Sequence, residues 1–309
     1  MKNLPLDFID LHCDTIARMN ENQNLKSNDL MVDLEKMHKG GGGTSLFALF
    51  VYLEEGKSPW ENAVSLHNRF KTEIENNNDL IQQIITKEDY INKQKNGKLG
   101  AILSTEEGGI LEGKLERIET LKKWGVRSFS LTWNFENELA YPNGKAGKLK
   151  DKGFKAIEML EEANILVDIS HLNDEGIDDV INNTKKPFIA SHSNARSICD
   201  HTRNLTDSQI KALAEKGGVM GLNLYPGFVG KTNITNFENL TKMIKYTLKI
   251  GGEDVLALGT DFDGIEGNIN PNDISKLPLL ANHLNKEGLS IRILEKMFCL
   301  NARRVLFDF

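Results

Sequence analysis

Apolar runs of strand length recur along the chain, and most are followed by stretches whose apolar positions fall at helical spacing. The runs are 7-DFIDLH-12, 44-TSLFALFVY-52, 99-LGAILS-104, 127-RSFSLT-132, 165-ILVDIS-170, 187-PFIAS-191, 219-VMGLNLY-225 and 255-VLALGT-260. Amphipathic helical patterns lie between them, among them 61-ENAVSLHNRFKTEI-74, 115-LERIETLKKWG-125, 153-GFKAIEMLEEANI-165 and 236-NFENLTKMIKYTLKIGG-252. In 206-TDSQ-209, Thr206 and Gln209 form a capping box ahead of 210-IKALAEKGG-218. Strands apolar on both faces and alternating with helices predict a parallel sheet covered by helices. Eight such units predict a closed (β/α)₈, TIM-like barrel of the metallo-dependent hydrolase type, a single domain over 1–309. A doubly wound open sheet would carry a G-x-G-x-x-G after its first strand, and none is there. Gly40 to Gly43 reads as a turn, since no helix follows to make it a phosphate cradle.

Composition narrows the partners. The 309 residues are 39% hydrophobic and 27% charged, enough for a large core, and the net charge of -6 with no long basic cluster speaks against nucleic-acid or anionic-membrane surfaces. Small molecules or peptides are the expected partners. Cys13, Cys199 and Cys299 are far apart and odd in number, so no disulfide framework or Cys-x-x-Cys site is expected. The start, MKNLPLDFIDLHCD, leaves no room for a leader, and no apolar run approaches the roughly 18 residues of a membrane span. A cytoplasmic protein is expected.

The candidate chemistry sits where these strands end. His12 and Asp14 close the first strand on one face of the pleat, with Cys13 on the other. Glu107 follows the third in 104-STEEGG-109, His171 the fifth in 167-VDISH-171, His192 the sixth in 191-SHS-193, and Asp261 the eighth in 258-LGTDFDG-264. Barrel enzymes assemble their sites at the carboxyl ends of strands, and such a set of imidazoles and carboxylates needs metal or partners once buried. The count suggests two ions: His12, Asp14 and Glu107 on one, and Glu107, His171 and His192 on the other. Glu107 and a hydroxide would then bridge two Zn²⁺, since imidazole and carboxylate without thiolate suit zinc, a donor set that manganese and cobalt also accept. Asp261, left over, is the candidate general base and acid. His38, His67, His201 and His283 lie in or beside helical patterns and read as surface or packing residues. Cys13 reads as core, and no G-x-S-x-G elbow supports Ser191 or Ser193 as a nucleophile.

In combination, LHCDT, EEGG, VDISH, SHSNAR with RNLTD, and LGTDFDG resemble the membrane dipeptidase (renal dipeptidase) family of zinc peptidases across nearly the whole chain. The resemblance implies a metal-dependent dipeptidase acting on dipeptides through a hydroxide between two zinc ions, with tolerance for a D-residue at the carboxyl end. It places the ligands on His12, Asp14, Glu107, His171 and His192 and the acid/base on Asp261. It also implies that Arg203 grips the substrate carboxylate, with Arg196 as the structural competitor, and that Tyr225 lines the pocket. Better-known members carry a His after the fourth strand; here 131-LTWNFENELAYPNG-144 has Trp133, so Trp133 packs over the pocket, or its indole, or Asn134, supplies a donor to the scissile carbonyl. Dimerisation is a family expectation, and the lipid-anchor segment of eukaryotic members is not expected after 301-NARRVLFDF-309. Other amidohydrolase-like barrels acting on non-peptide amides begin with H-x-H and use a modified lysine, which this chain does not match. A non-catalytic binding homologue should have lost ligands, and none is missing.

Overall fold

The computed structural model describes residues 7–308. Met1–Leu6, on which the leader expectation partly rests, lie outside the described residues. The strands are β1 (Ile9–Cys13), β2 (Thr44–Leu49), β3 (Ile81–Gln83), β4 (Leu99–Thr105), β5 (Val126–Ser130), β6 (Leu166–Asp168), β7 (Ile189–Ser193), β8 (Val219–Leu222), β9 (Ile234–Thr235), β10 (Leu256–Leu258) and β11 (Asn268–Ile269). All pairings in the main sheet are parallel, in the order β2-β1-β10-β8-β7-β6-β5-β4, and β2 pairs with β4 from Thr44↔Gly100 to Leu49↔Thr105 to close the ring. This is the eight-stranded barrel expected from the apolar runs.

Three short strands were not legible in the pattern. β3 adds to the outside of β4, and only Ile81 of its three residues is buried, so it carries no apolar run. β9 and β11 form a separate two-residue ladder. Several barrel strands are also shorter than their apolar runs. β2 ends at Leu49 and β8 at Leu222, so Phe50 to Tyr52 and Asn223 to Tyr225 leave the ladder at its carboxyl end.

Inside the barrel, Ile9, Leu11, Leu46, Ile102, Leu166, Ile189, Val219 and Ala257 form one cluster with Ala302, Val305 and Leu306 of the C-terminal helix Asn301–Phe307, which therefore plugs the floor. A larger cluster fills the space between sheet and helices. In the helix Phe237–Gly251, Leu240, Thr241, Met243, Ile244 and Thr247 are buried, the 3–4 spacing of a single inward stripe. Thr206 and Gln209 make the expected capping box. Gly41, Gly42 and Gly43 all have positive φ, and a Cβ at Gly43 would lie 2.6 Å from the Phe8 ring, so the glycine run is a tight turn that seats β2 against Phe8.

Register irregularities occur in β1 between Asp10 and Cys13, between β4 and β5 at Leu103/Ser104, and in β7 between Ala190 and Ser193. Each falls shortly before or around a polar residue at the barrel mouth. In β1 the shift reverses the pleat. Ile9 and Leu11 join the inner cluster and Cys13 the outer one, so His12 and Asp14 swing into the mouth.

The barrel is tightest where β7, β8 and β10 meet. A Cβ at Gly221 would fall 1.9 Å from the Ser191 carbonyl oxygen, and one at Gly259 1.8 Å from the same atom. Gly221→Ala or Gly259→Ala should therefore destabilise the fold by about 1–3 kcal/mol or more, with the backbone beside His192 displaced. Denaturant unfolding checks this, and parent-like midpoints for both variants would contradict it.

Candidate active site

The residues at the carboxyl ends of the strands converge on one buried volume. His12 belongs to β1 and Asp14 follows it, Glu106 follows β4, His171 lies three residues beyond β6, His192 belongs to β7, and Asp261 lies three residues beyond β10. His171 and Asp261 have positive φ, 73° and 62°, a conformation costly for residues with a Cβ. That strain turns both side chains back over the mouth.

The carboxylate at the centre is Glu106, which corrects the expectation for Glu107. Its Oε2 lies 3.5 Å from His12 Nε2, and its Oε1 lies 3.0 Å from His171 Nε2 and 3.4 Å from His192 Nε2. His12 Nε2 is 3.3 Å from Asp14 Oδ2 and 3.9 Å from Asp261 Oδ1. One Glu106 oxygen thus faces each half of the cluster, the geometry of a bridge. The reason is pleat parity: Ile102 points into the barrel and Leu103 outward, so Glu106 continues the inward row and Glu107 the outward one. Glu107 is fully buried and fully used elsewhere. It accepts from Gly109 N at 2.6 Å, Trp133 N at 2.9 Å and Asn137 Nδ2 at 2.5 Å, tying the turn after β4 to the loop after β5.

Hydrogen bonds behind the imidazoles fix their tautomers. Ser191 Oγ donates to Asp168 Oδ2, so it accepts from His192 Nδ1–H at 2.7 Å. His171 Nδ1–H donates to Asn134 Oδ1 at 3.0 Å. Both Nε2 atoms therefore present lone pairs, yet they stand 2.9 Å apart, with Glu106 Oε1 completing a triangle with them. Acceptors facing one another need a cation. Asp14 Oδ1 is buried without a hydrogen-bond partner among the described residues, and a Cβ at Gly264 would lie 2.2 Å from Asp14 Oδ2 and 2.5 Å from Asp261 Oδ1, so this corner is cleared for the carboxylates. Three groups, His12–Asp14–Glu106, Glu106–His171–His192 and His12–His192–Asp261, each bring their ligand atoms within 4.8 Å of one another. The donor set fits divalent metal.

Without a cation the site stores protons. Burial, and then the charge of Asp14, push Glu106 up to about 8 against the opposing pull of His12. Burial likewise raises Asp261 to about 6, with Asp14 adding and His12 and Arg203 opposing. For His12, burial opposes the charge, but Glu106 and Asp14 outweigh it and hold the imidazole well above its usual range. Burial, with the positive charges of Arg203 and His12 nearby, keeps His171 and His192 well below theirs.

Around the cluster lies a cavity of about 700 Å³ lined on one side by Phe50, Tyr52 and Trp133 and on the other by His201, Arg203 and Tyr225. Arg203 is buried and lies 5.5 Å over the Phe228 ring, and among the described residues its guanidinium has no ion pair. Arg196, in contrast, forks onto Asp174 with two 2.8 Å bonds and donates to the Asn204 carbonyl. Tyr225 packs against Phe228 at 4.7 Å. The sequence reading missed Asn223, whose Nδ2 donates to Asp261 Oδ2 at 2.8 Å, and it placed His201 among packing residues although that ring accepts from Arg203 N and faces the cavity. The signal for Asn223 was its position just beyond a strand end in 222-LNLY-225. His38, His67 and His283 stand away from the cavity, and Cys13 is buried with its thiol donating to Leu46 O, as expected of a core residue.

Fold and site together define a metal-dependent hydrolase on a parallel barrel. Residues 2–308 match the family described as membrane dipeptidase (peptidase family M19), and the chain belongs to that family. An uncharacterised protein of Klebsiella pneumoniae is 32% identical over 220 residues, spanning 67% of this chain and 81% of its own length. An uncharacterised dipeptidase of Schizosaccharomyces pombe is 30% identical over 301 residues, spanning 88% of this chain and 71% of its own. The fold superposes with a TM-score of 0.91 on a metallo peptidase from Rhodobacter sphaeroides liganded with a phosphinate mimic of L-Ala-D-Ala, at 22% identity and 99% coverage of both chains. No helix among the described residues is long and apolar enough to cross a membrane.

The two glutamates separate cleanly by experiment. Glu106→Gln should strip bound divalent metal, whereas Glu107→Gln should retain it, as elemental analysis of the purified variants will show; metal retained in Glu106→Gln would refute the central placement. The stored protons give a second expectation. Because Glu106 and His12 are raised, metal must displace protons at neutral pH, so apparent affinity should climb as pH rises from 6 to 8. Calorimetry in buffers of different ionisation enthalpy should register net proton release.

Proposed function

We propose that this chain is a two-metal dipeptidase hydrolysing the peptide bond of dipeptides, including those with a D-residue at the carboxyl end. The observation that carries the reading is Arg203, a buried guanidinium with no ion pair among the described residues, facing the cavity that holds the ligand cluster. A buried cation left unpaired is costly, and a guanidinium forks onto carboxylate, so a substrate carboxylate one residue from the scissile bond completes it. The Rhodobacter neighbour's L-Ala-D-Ala mimic supports the substrate class.

His12, Asp14 and Glu106 would hold one divalent ion and Glu106, His171 and His192 a second, zinc by donor type, supplying an ionised water and polarising the scissile carbonyl. The chain's own residues do the rest. Arg203 anchors the carboxylate and so sets the length of the substrate. Asp261, oriented by Asn223, takes the proton released as water oxygen bonds to the carbonyl carbon, then delivers it to the amine nitrogen as the C–N bond breaks. Asn134 commits its carbonyl oxygen to His171, which leaves its amide N–H groups as donors toward the developing oxyanion. Tyr225 walls the Arg203 side of the cavity, and Trp133 walls the opposite one.

On the metal-loaded enzyme, Asp261→Asn should keep its metal and lose roughly 10²–10⁴ in kcat. Arg203→Ala should cost about 2–5 kcal/mol in kcat/KM on dipeptides and far less on dipeptide amides, which have no carboxylate to pair. Equal losses on both substrates would remove Arg203 as the clamp, and a metal-loaded parent inert toward every dipeptide would remove the reading.

A further inference from the structure

The aromatic side of the cavity has no part in holding the metal ligands, and its rings do more than fill a core. Phe50 and Trp133 meet edge to face at 4.8 Å, Tyr52 and Trp133 at 5.7 Å, and Tyr52 and Phe135 at 4.9 Å. Trp133 lies 6.1 Å from the His171 ring, so the aromatic surface begins beside the ligands. Yet Tyr52 is 49% exposed, and Phe50, Tyr52 and Trp133 all line the cavity. An apolar surface left open beside a cluster of candidate metal ligands is a surface awaiting a ligand. It is also held firmly, because Glu107 accepts from Trp133 N and ties that loop to the end of β4.

Its place in the ring gives the direction. Phe50 and Tyr52 follow β2 and Trp133 follows β5, the two strands that flank β4. Arg203 and Tyr225 follow β7 and β8, and β8 lies four strands round from β4, on the opposite side of the mouth. In a dipeptide the carboxylate belongs to the C-terminal residue and the scissile carbonyl to the N-terminal one. With the carboxylate on Arg203 and the carbonyl over the central cluster, the N-terminal residue extends away from Arg203, toward the arc that carries the aromatic rings.

We infer that Phe50, Tyr52 and Trp133 form the subsite for the substrate's N-terminal side chain and make the enzyme selective for dipeptides with an aromatic or other large apolar N-terminal residue. This inference rests on the dipeptidase reading. None of the three side chains carries a charge, so selection is by burial and ring contact, and a charged N-terminal side chain would lose solvation there without a partner.

The test is a comparison of kcat/KM for Phe-Ala, Ala-Phe and Ala-Ala on the zinc-loaded enzyme. Phe-Ala should exceed Ala-Ala on the order of 10–100-fold, while Ala-Phe shows no comparable gain. Tyr52→Ala, a half-exposed position whose loss should not unfold the barrel, should shrink the Phe-Ala to Ala-Ala ratio several-fold. Trp133→Ala should shrink it further, and Trp133→Phe should restore most of it. A parent ratio near one with Ala-Ala readily cleaved, or a ratio unchanged in both alanine variants, would overturn the subsite while leaving the dipeptidase reading intact. No turnover of any of the three substrates would overturn both.

Discussion

Everything at the mouth of this barrel depends on one electrostatic constraint: three imidazoles and three carboxylates converge where each is more than nine-tenths buried. The Nε2 atoms of His171 and His192 stand 2.9 Å apart with a Glu106 oxygen beside both, and the hydrogen bonds behind the rings leave no proton to share between them. A protein of ordinary stability tolerates such a cluster only if protons or metal cations neutralise it. The raised pKa values of Glu106 and His12, which hold protons there, show the first solution, and the placement of Glu106 between the two halves suits the second.

The scaffold is regular below the site and irregular at it. Branched apolar side chains and the C-terminal helix fill the lower barrel in the manner of a packed core. Above them the ladder shifts register in β1 and β7, right at His12 and His192, and His171 and Asp261 adopt left-handed backbone. Paired glycines let the Ser191 carbonyl cross toward β8 and β10. The well-packed floor and closed ring offset the local strain, and the strain aims the side chains.

The cavity is two-sided. A buried guanidinium with no ion pair among the described residues lies on the β7–β8 arc and an open aromatic surface on the β2–β5 arc, with the cluster of imidazoles and carboxylates between them. Glu107 links these features. Though not in the cluster, it joins the turn following Glu106 to the loop that presents Trp133 and Asn134. Positions of the imidazole–carboxylate cluster and the cavity wall are thereby coupled through one buried carboxylate.

The sequence by itself determined the class of fold, because eight apolar runs alternating with amphipathic helices bury their surfaces well as a closed parallel barrel. It also marked His12, Asp14, His171, His192 and Asp261, since each stands at a strand end, where convergence follows from topology alone. The Glu-Glu pair was beyond it. A strand buried on both faces shows no hydrophobic alternation, so nothing in 99-LGAILSTEEGG-109 says which glutamate points inward; only the register of β4 against its neighbours decides for Glu106. The same holds for His201, whose helical-looking surroundings conceal a ring turned to the cavity, and for the wall of Phe50, Tyr52 and Trp133, whose members come from two separate loops. Side-chain facing and the meeting of distant loops are settled by tertiary packing, because a sequence fixes local periodicity while contact between distant residues exists only once the ring has closed.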